Sequence, residues 1–147
     1  MTYVTGPTGY DWNFVGMSYH TLILNRTYLV LVSDRVIAGA VVRGILPSTM
    51  SSPPPEWLEP TFYPKPKLVS RYDGVDIHDK AFLAVNTAGF RIDRTTLADV
   101  ALDLTPKWGM GLVPYSGRII LRTQDGRSRE LILLGQQDGG AIRDRLR

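Results

Sequence analysis

The sequence predicts a mainly β, antiparallel domain, a barrel or a sandwich, closed by one short C-terminal α-helix. Three observations carry this reading. Several short runs alternate apolar and polar residues at the two-residue period of a strand. An Asp125-Gly126 pair sits between two apolar runs, which is the composition of a tight hairpin turn. Helical spacing of apolar residues is clear only near the end of the chain, at Ala141, Ile142 and Leu146. At 147 residues the chain fits a single domain spanning 1–147. Folding a chain of that size buries roughly two-thirds of the surface it exposes when unfolded, so it needs no covalent staple.

The elements follow in order. In residues 10–14, Tyr10, Trp12 and Phe14 alternate with Asp11 and Asn13, so one strand face can bury three rings. After Gly16, residues 19–24 and 28–32 are rich in aliphatic and β-branched side chains and are too short between breaks to favour helices. Ser33-Asp34-Arg35 interrupts this pattern before residues 36–42 resume it, which predicts a hairpin. A helix over 36–42 is disfavoured by Gly39 and by its β-branched neighbours.

Residues 47–67 hold seven of the ten prolines, including Pro53-Pro54-Pro55. Proline lacks a backbone donor and keeps the preceding residue extended, so this stretch reads as a polyproline-like excursion without regular helix or strand. Its large apolar groups, among them Met50, Trp57, Leu58, Phe62 and Tyr63, predict packing on its own domain or on a partner.

Residues 81–85 and 90–92 read as a further hairpin around Asn86-Thr87-Ala88-Gly89, with Gly89 supplying a positive φ. Residues 99–104 alternate, with Val100, Leu102 and Leu104 on one face. Residues 118–123 and 129–134 flank Gln124-Asp125-Gly126-Arg127 and make the clearest hairpin of the chain. Residues 138–147 supply the closing amphipathic helix.

A hydrophobic fraction of 44% and a charged fraction of 21% exclude disorder of the whole chain. Without cysteine there is no disulfide, thiolate nucleophile or cysteine-ligated metal centre. The first residues lack the basic start and apolar run of a secretory signal, so the expected location is cytoplasmic. The most apolar window, 28–46, carries Asp34, Arg35 and Arg43 and is not a membrane helix. Charge is uneven. Residues 1–117 hold ten basic and ten acidic side chains, whereas 118–147 hold seven arginines and four acids. Only this last stretch offers a candidate electropositive face.

The run Tyr28-Leu29-Val30-Leu31-Val32-Ser33-Asp34-Arg35-Val36-Ile37 gives strand, polar turn and strand. Ser116-Gly117-Arg118-Ile119-Ile120-Leu121, Asp125-Gly126 and the final helix give the matching end. Together they resemble the pleckstrin-homology-like (PH-like) barrels of bacteria and the related GRAM domains. The resemblance covers half of the chain, and the proline-rich excursion and the extra N-terminal strands depart from it. It implies a PH-like β-barrel acting as a binding module.

Asp73, Asp76, His78 and Asp79 form the densest set of metal-ligating types, and Asp76 and His78 share a face if extended. No second histidine and no ligand spacing accompanies them, so neither a metal nor another cofactor is expected. The string 108–117 contains Gly109, Gly111 and Gly117 between Lys107 and Arg118, so its backbone could approach an anion closely. Lys107, Gly109, Gly111, Arg118, Arg122 and Arg129 are the anion-binding candidates, for a small molecule or a lipid headgroup.

His20 and His78 lie in no nucleophile motif. Asp99 and Asp103 would share a face only on a helix, so no catalytic residue is assigned and the reading leans away from an enzyme. The hairpin arginines, Arg118, Arg122, Arg127 and Arg129, have no aromatic among them to stack a base, so nucleic acid is not the expected partner. Trp57, Leu58, Phe62 and Tyr63 are the partner-binding candidates. The leading function is therefore a non-enzymatic binding or scaffold module using the proline and aromatic loop for a protein partner or for self-association. On that reading, residues 53–63 should be removable without loss of the fold.

Overall fold

The computed structural model describes residues 6–21 and 24–147. Seven strands, β1 (Trp12–Tyr19), β2 (Asn25–Val32), β3 (Val36–Arg43), β4 (Phe90–Asp93), β5 (Leu97–Asp103), β6 (Tyr115–Thr123) and β7 (Ser128–Leu134), join in one antiparallel sheet. Its order is β4-β3-β2-β1-β7-β6-β5, and it curls into a half-barrel. Three short helices accompany it: α1 (Pro66–Val69), α2 (Lys80–Val85) and the C-terminal α3 (Gly139–Leu146). The fold is thus mainly β, antiparallel and closed by a C-terminal helix. Among the described residues no helix is long and apolar enough to cross a membrane.

Strand alternation sorts the side chains into two cores. Phe14, Tyr28, Val30, Ile37, Phe90, Val100, Ile119, Leu121, Leu131 and Leu133 form one cluster to which all seven strands contribute, so it is the inside of the curl. Ile142 and Leu146 of α3 complete it. The opposite faces of β1, β2, β3 and β7 present Val15, Met17, Leu29, Leu31, Ala38, Ala40, Val42, Ile132 and Leu134. Residues of the two long connections cover them: Leu46, Tyr63, Val69, Tyr72, Ile77, Phe82, Met110 and Val113. Both faces of the sheet are buried along β2 and β3, which is why those strands read as continuous apolar runs.

The structure corrects several sequence expectations. β1 does not break at Gly16. It runs through it, because a Cβ there would meet the Leu131 side chain at 3.1 Å and glycine lets β1 and β7 approach. The strand expected over 19–24 is replaced after Tyr19 by a turn in which the His20 amide donates to the Leu24 carbonyl; Leu22 and Ile23 lie outside the described residues.

The proline-rich excursion is not polyproline-like throughout. Prolines open short helical turns at Pro55–Leu58, Pro60–Phe62 and Pro66–Val69, because a fixed φ suits the first helical position, where the missing N–H would have no partner. Residues 80–85 are helix rather than strand, since only Phe82 is buried and it stacks near Tyr72, with ring centres 5.2 Å apart. Gly89 does not adopt a positive φ. The turn is held by the Asn86 side chain, which accepts from the Ala88 amide. β5 ends at Asp103, and Leu104, expected on the buried face, is 71% exposed.

Candidate functional site

Two loops meet at one end of the sheet. Residues 44–52 follow β3, and residues 104–114 join β5 to β6. They pair through an isolated bridge between Thr49 and Gly111, and the Leu112 amide donates to the Thr49 carbonyl at 2.6 Å. Gly111 has φ +62°, and a Cβ there would lie 2.2 Å from the Thr49 carbonyl oxygen, so only glycine permits the contact. Met110 and Val113 are buried and pin the second loop to the outer core, and the Lys107 amide donates to the Tyr115 hydroxyl. The loops are therefore anchored from beneath. On them Met50 and Trp108 are 88% and 87% exposed, with Ile45, Leu104 and Leu112 also exposed. Trp108 stands beside Pro47 and Ser48 around a shallow depression.

The partner-binding residues expected from sequence fare differently from one another. Tyr63 is fully buried, and its hydroxyl donates to the Trp57 carbonyl at 2.5 Å, so it is a core side chain and no partner reaches it. Burial pushes its phenol up to about 12, against the opposing pull of the Arg43 guanidinium. Trp57 is half-buried, while Leu58 and Phe62 keep an exposed edge at 40% and 37%. The three rings pack on one another, with Arg43 over Phe62 and its Nε donating to the Tyr63 carbonyl. The sequence put this packed cluster in the partner-binding set, with Met50 counted only among the apolar groups of the proline-rich stretch and Trp108 and Leu112 only within the glycine-containing string. Their signal was present in large apolar residues set among glycine and proline with one charge, Lys107, between Leu104 and Pro114.

The anion-binding candidates do not form one surface. Arg118 is held between Glu130 and Asp103, at 2.7 and 2.9 Å, and also donates to the Thr105 hydroxyl. Lys107 pairs with Glu130 at 2.9 Å. Both cations are thus neutralised within the β5-β6-β7 face. Hydrogen bonds from Thr105, with Arg118 nearby, hold the Asp103 carboxyl below its usual range. Register separates the remainder. Arg122 lies opposite Ser128 on the outer side, whereas Arg129 lies opposite Leu121 and projects to the inner side. Gly109 and Gly111 both have positive φ and belong to the apolar loop.

The Asp73 to Asp79 segment holds a different arrangement from the one sought. Asp76 Oδ1 accepts from the His78 amide at 2.9 Å and contacts His78 Nδ1 at 2.7 Å. His78 Nε2 lies 2.9 Å from Ser33 Oγ. This is a Ser-His-Asp chain in geometry. However, Ser33 is 4% exposed, its oxygen already accepts from the Arg35 and Val36 amides, and it sits at the β2–β3 turn and lines none of the four main clefts among the described residues. A nucleophile needs a free lone pair and an approach path. The chain instead ties the β2–β3 turn to the segment before α2. Asp73 and Asp79 are exposed and make no side-chain contact to it. Among the described residues no group of three or more such side chains is placed to hold a metal ion.

No protein-family model matches the chain, and neither a curated protein nor a solved structure does. The class defined by the coordinates is a mainly β, barrel-like domain.

Proposed function

We propose that this chain is a non-enzymatic, PH-like binding module that contacts a protein partner through the apolar end formed by residues 44–52 and 104–114. The order of four strands, three strands and a single terminal helix supports the PH-like reading. The observation that carries the function is the exposure of Met50 and Trp108 on loops anchored to each other through the Thr49–Gly111 bridge. Large apolar groups fixed in water cost free energy unless a second surface covers them, and a preordered loop loses little entropy on docking. A protein surface suits this end better than an anionic membrane. Its two loops carry Lys107 as their one cation, and that charge is spent on Glu130. Leu58 and Phe62 extend the apolar edge of the proline-rich loop and contribute less.

The test is a triple variant, Met50→Ser, Trp108→Ser and Leu112→Ser, compared with the parent chain in sedimentation velocity and pull-down. Association is expected to fall at least tenfold, the scale of losing one aromatic anchor, with the thermal midpoint unmoved because all three side chains face water. Undiminished association counts against the assignment. Retention on anionic vesicles by the parent chain, lost at high salt, would favour lipid headgroup binding instead.

A further inference from the structure

A cleft of about 550 Å³ opens where the half-barrel fails to close. One wall is β4, the other is the β6–β7 hairpin, and the turn at 94–96 closes one end. Three features meet there. First, β4 is an edge strand bonded only to β3. Arg94 N donates to the Arg35 carbonyl, and Phe90 and Ile92 follow it at the two-residue interval on the same ladder. Antiparallel alternation therefore turns the backbone groups of Arg91 and Asp93 toward the cleft, which both residues line. Second, Phe90 and Ile92 point to the inner side and give the cleft an apolar wall. Third, Arg129 projects into it with its guanidinium 4.0 Å from the Phe90 ring centre and 6.0 Å from that of Tyr28.

The cations and acids around the cleft are not evenly matched. Asp93 accepts from the Thr95 amide and hydroxyl, and Asp125 accepts from the Thr123 hydroxyl and the Arg127 amide. These bonds hold both carboxyls below their usual range, so they stay ionised as turn caps and set two negative charges against Arg91, Arg127 and Arg129 around the cleft. Arg127 leans on Asp125 at 3.5 Å, and the Arg91 guanidinium is bound to the carbonyls of Ile77 and Asp79. Among the described residues Arg129 has aromatic neighbours and no carboxylate at ion-pair distance.

We infer that this cleft takes an extended peptide segment that adds as a strand to β4 and sets an acidic side chain on Arg129. A strand laid about 4.8 Å from β4 meets the Arg91 N–H and carbonyl and the Asp93 N–H, the Asp93 carbonyl already accepting from the Thr96 hydroxyl at 2.7 Å, and its alternate side chains face Phe90, Ile92 and Arg129. A small anion would use the guanidinium and leave the strand edge unpaired. This surface is separate from the apolar end, so the two assignments stand or fall independently.

The probe is a capped seven-residue peptide alternating threonine with valine and carrying one central glutamate, titrated into the isotopically labelled chain. Saturable shifts are expected at the Arg91 and Asp93 amides and at Arg129 Nε. Replacing the glutamate by glutamine, or Arg129→Gln, should each weaken binding roughly tenfold, as for loss of a charge-assisted hydrogen bond. Arg122→Gln, on the opposite face, should leave it unchanged. A peptide N-methylated at alternate residues on each edge in turn should lose binding for one edge only. The inference is overturned if the parent peptide gives no saturable shift at millimolar concentration. It is overturned equally if both N-methylated peptides bind as the parent does, or if glutarate alone reproduces the shifts with equal affinity, which would make the cleft a small-anion site.

Discussion

Ser33, His78 and Asp76 show how the same three side chains can be structural. With its lone pairs accepting from the Arg35 and Val36 amides, the Ser33 hydroxyl donates to His78 Nε2, which fixes the Nδ1 proton toward Asp76. The ordering effect resembles that of a hydrolase triad, but the serine oxygen is enclosed and already coordinated. A fluorophosphonate reagent is therefore expected to leave Ser33 unlabelled. Ser33→Ala and His78→Ala should each cost about 1–3 kcal/mol in urea denaturation, since each strands a polar group at a tight turn. Stoichiometric labelling that His78→Ala abolishes would reverse this assignment. The sequence put Asp76 and His78 together as metal ligands on an extended face, whereas the structure joins them in a turn, with the Asp76 carboxylate accepting from the His78 amide and the Asp76 carbonyl from the Asp79 amide. Ser33 was not legible, since it lies 45 positions away in sequence and only the tertiary fold brings it to the imidazole.

At the scale of elements, what could be read from the sequence was what short-range pattern decides. The hairpins over 28–42 and 118–134 and the terminal helix follow from alternation, turn chemistry and helical spacing, all contained in ten or fifteen residues. α2 escaped because its choice between strand and helix rests on Phe82 finding Tyr72, a contact made outside the segment. The anion set escaped for a similar reason. Composition cannot tell that Arg118 faces Glu130 and Asp103 while Arg129 faces the other side. One long-range device joins the elements at the barrel mouth. The Arg94 guanidinium donates to the Ser33, Arg145 and Leu146 carbonyls at 2.8, 2.9 and 3.1 Å. A cation at the C-terminal end of α3 also opposes the negative pole of the helix. Arg94→Ala should cost about 1–3 kcal/mol, and its mark should be local: amide exchange in residues 142–146 speeds up while β2 and β3 stay protected. Uniform acceleration across the sheet would show that α3 is not separately stapled.

For the molecule as a whole, the decisive feature is that the sheet is covered on both sides, and the outer cover is supplied by the proline-rich connection. Reading the prolines as a projecting loop made residues 53–63 dispensable to the fold, and the packing contradicts that. Tyr63 lies in the same cluster as Leu29, Leu31, Ala40 and Val42, with Trp57 against it. The Gln136 amide donates to the Leu58 carbonyl, and Gly135, at φ +69°, leaves room for that carbonyl where a Cβ would approach it to 2.7 Å. Removing the segment uncovers the middle of the outer face and breaks a backbone contact with the end of β7. Losing a buried aromatic side chain alone costs about 3–5 kcal/mol, against a total stability of about 5–15 kcal/mol for an ordinary domain. Deletion of 53–63 is therefore expected to abolish the cooperative urea transition or to leave a chain that binds a hydrophobic dye. A graded series separates cover from contact surface: Tyr63→Ala should cost about 3–5 kcal/mol, whereas Leu58→Ser and Phe62→Ser, with exposed edges, should cost about 1 kcal/mol or less. If the deletion keeps the parent urea midpoint, the proline-rich connection is an appendage after all, and the two-sided sheet must be stable with its outer face open.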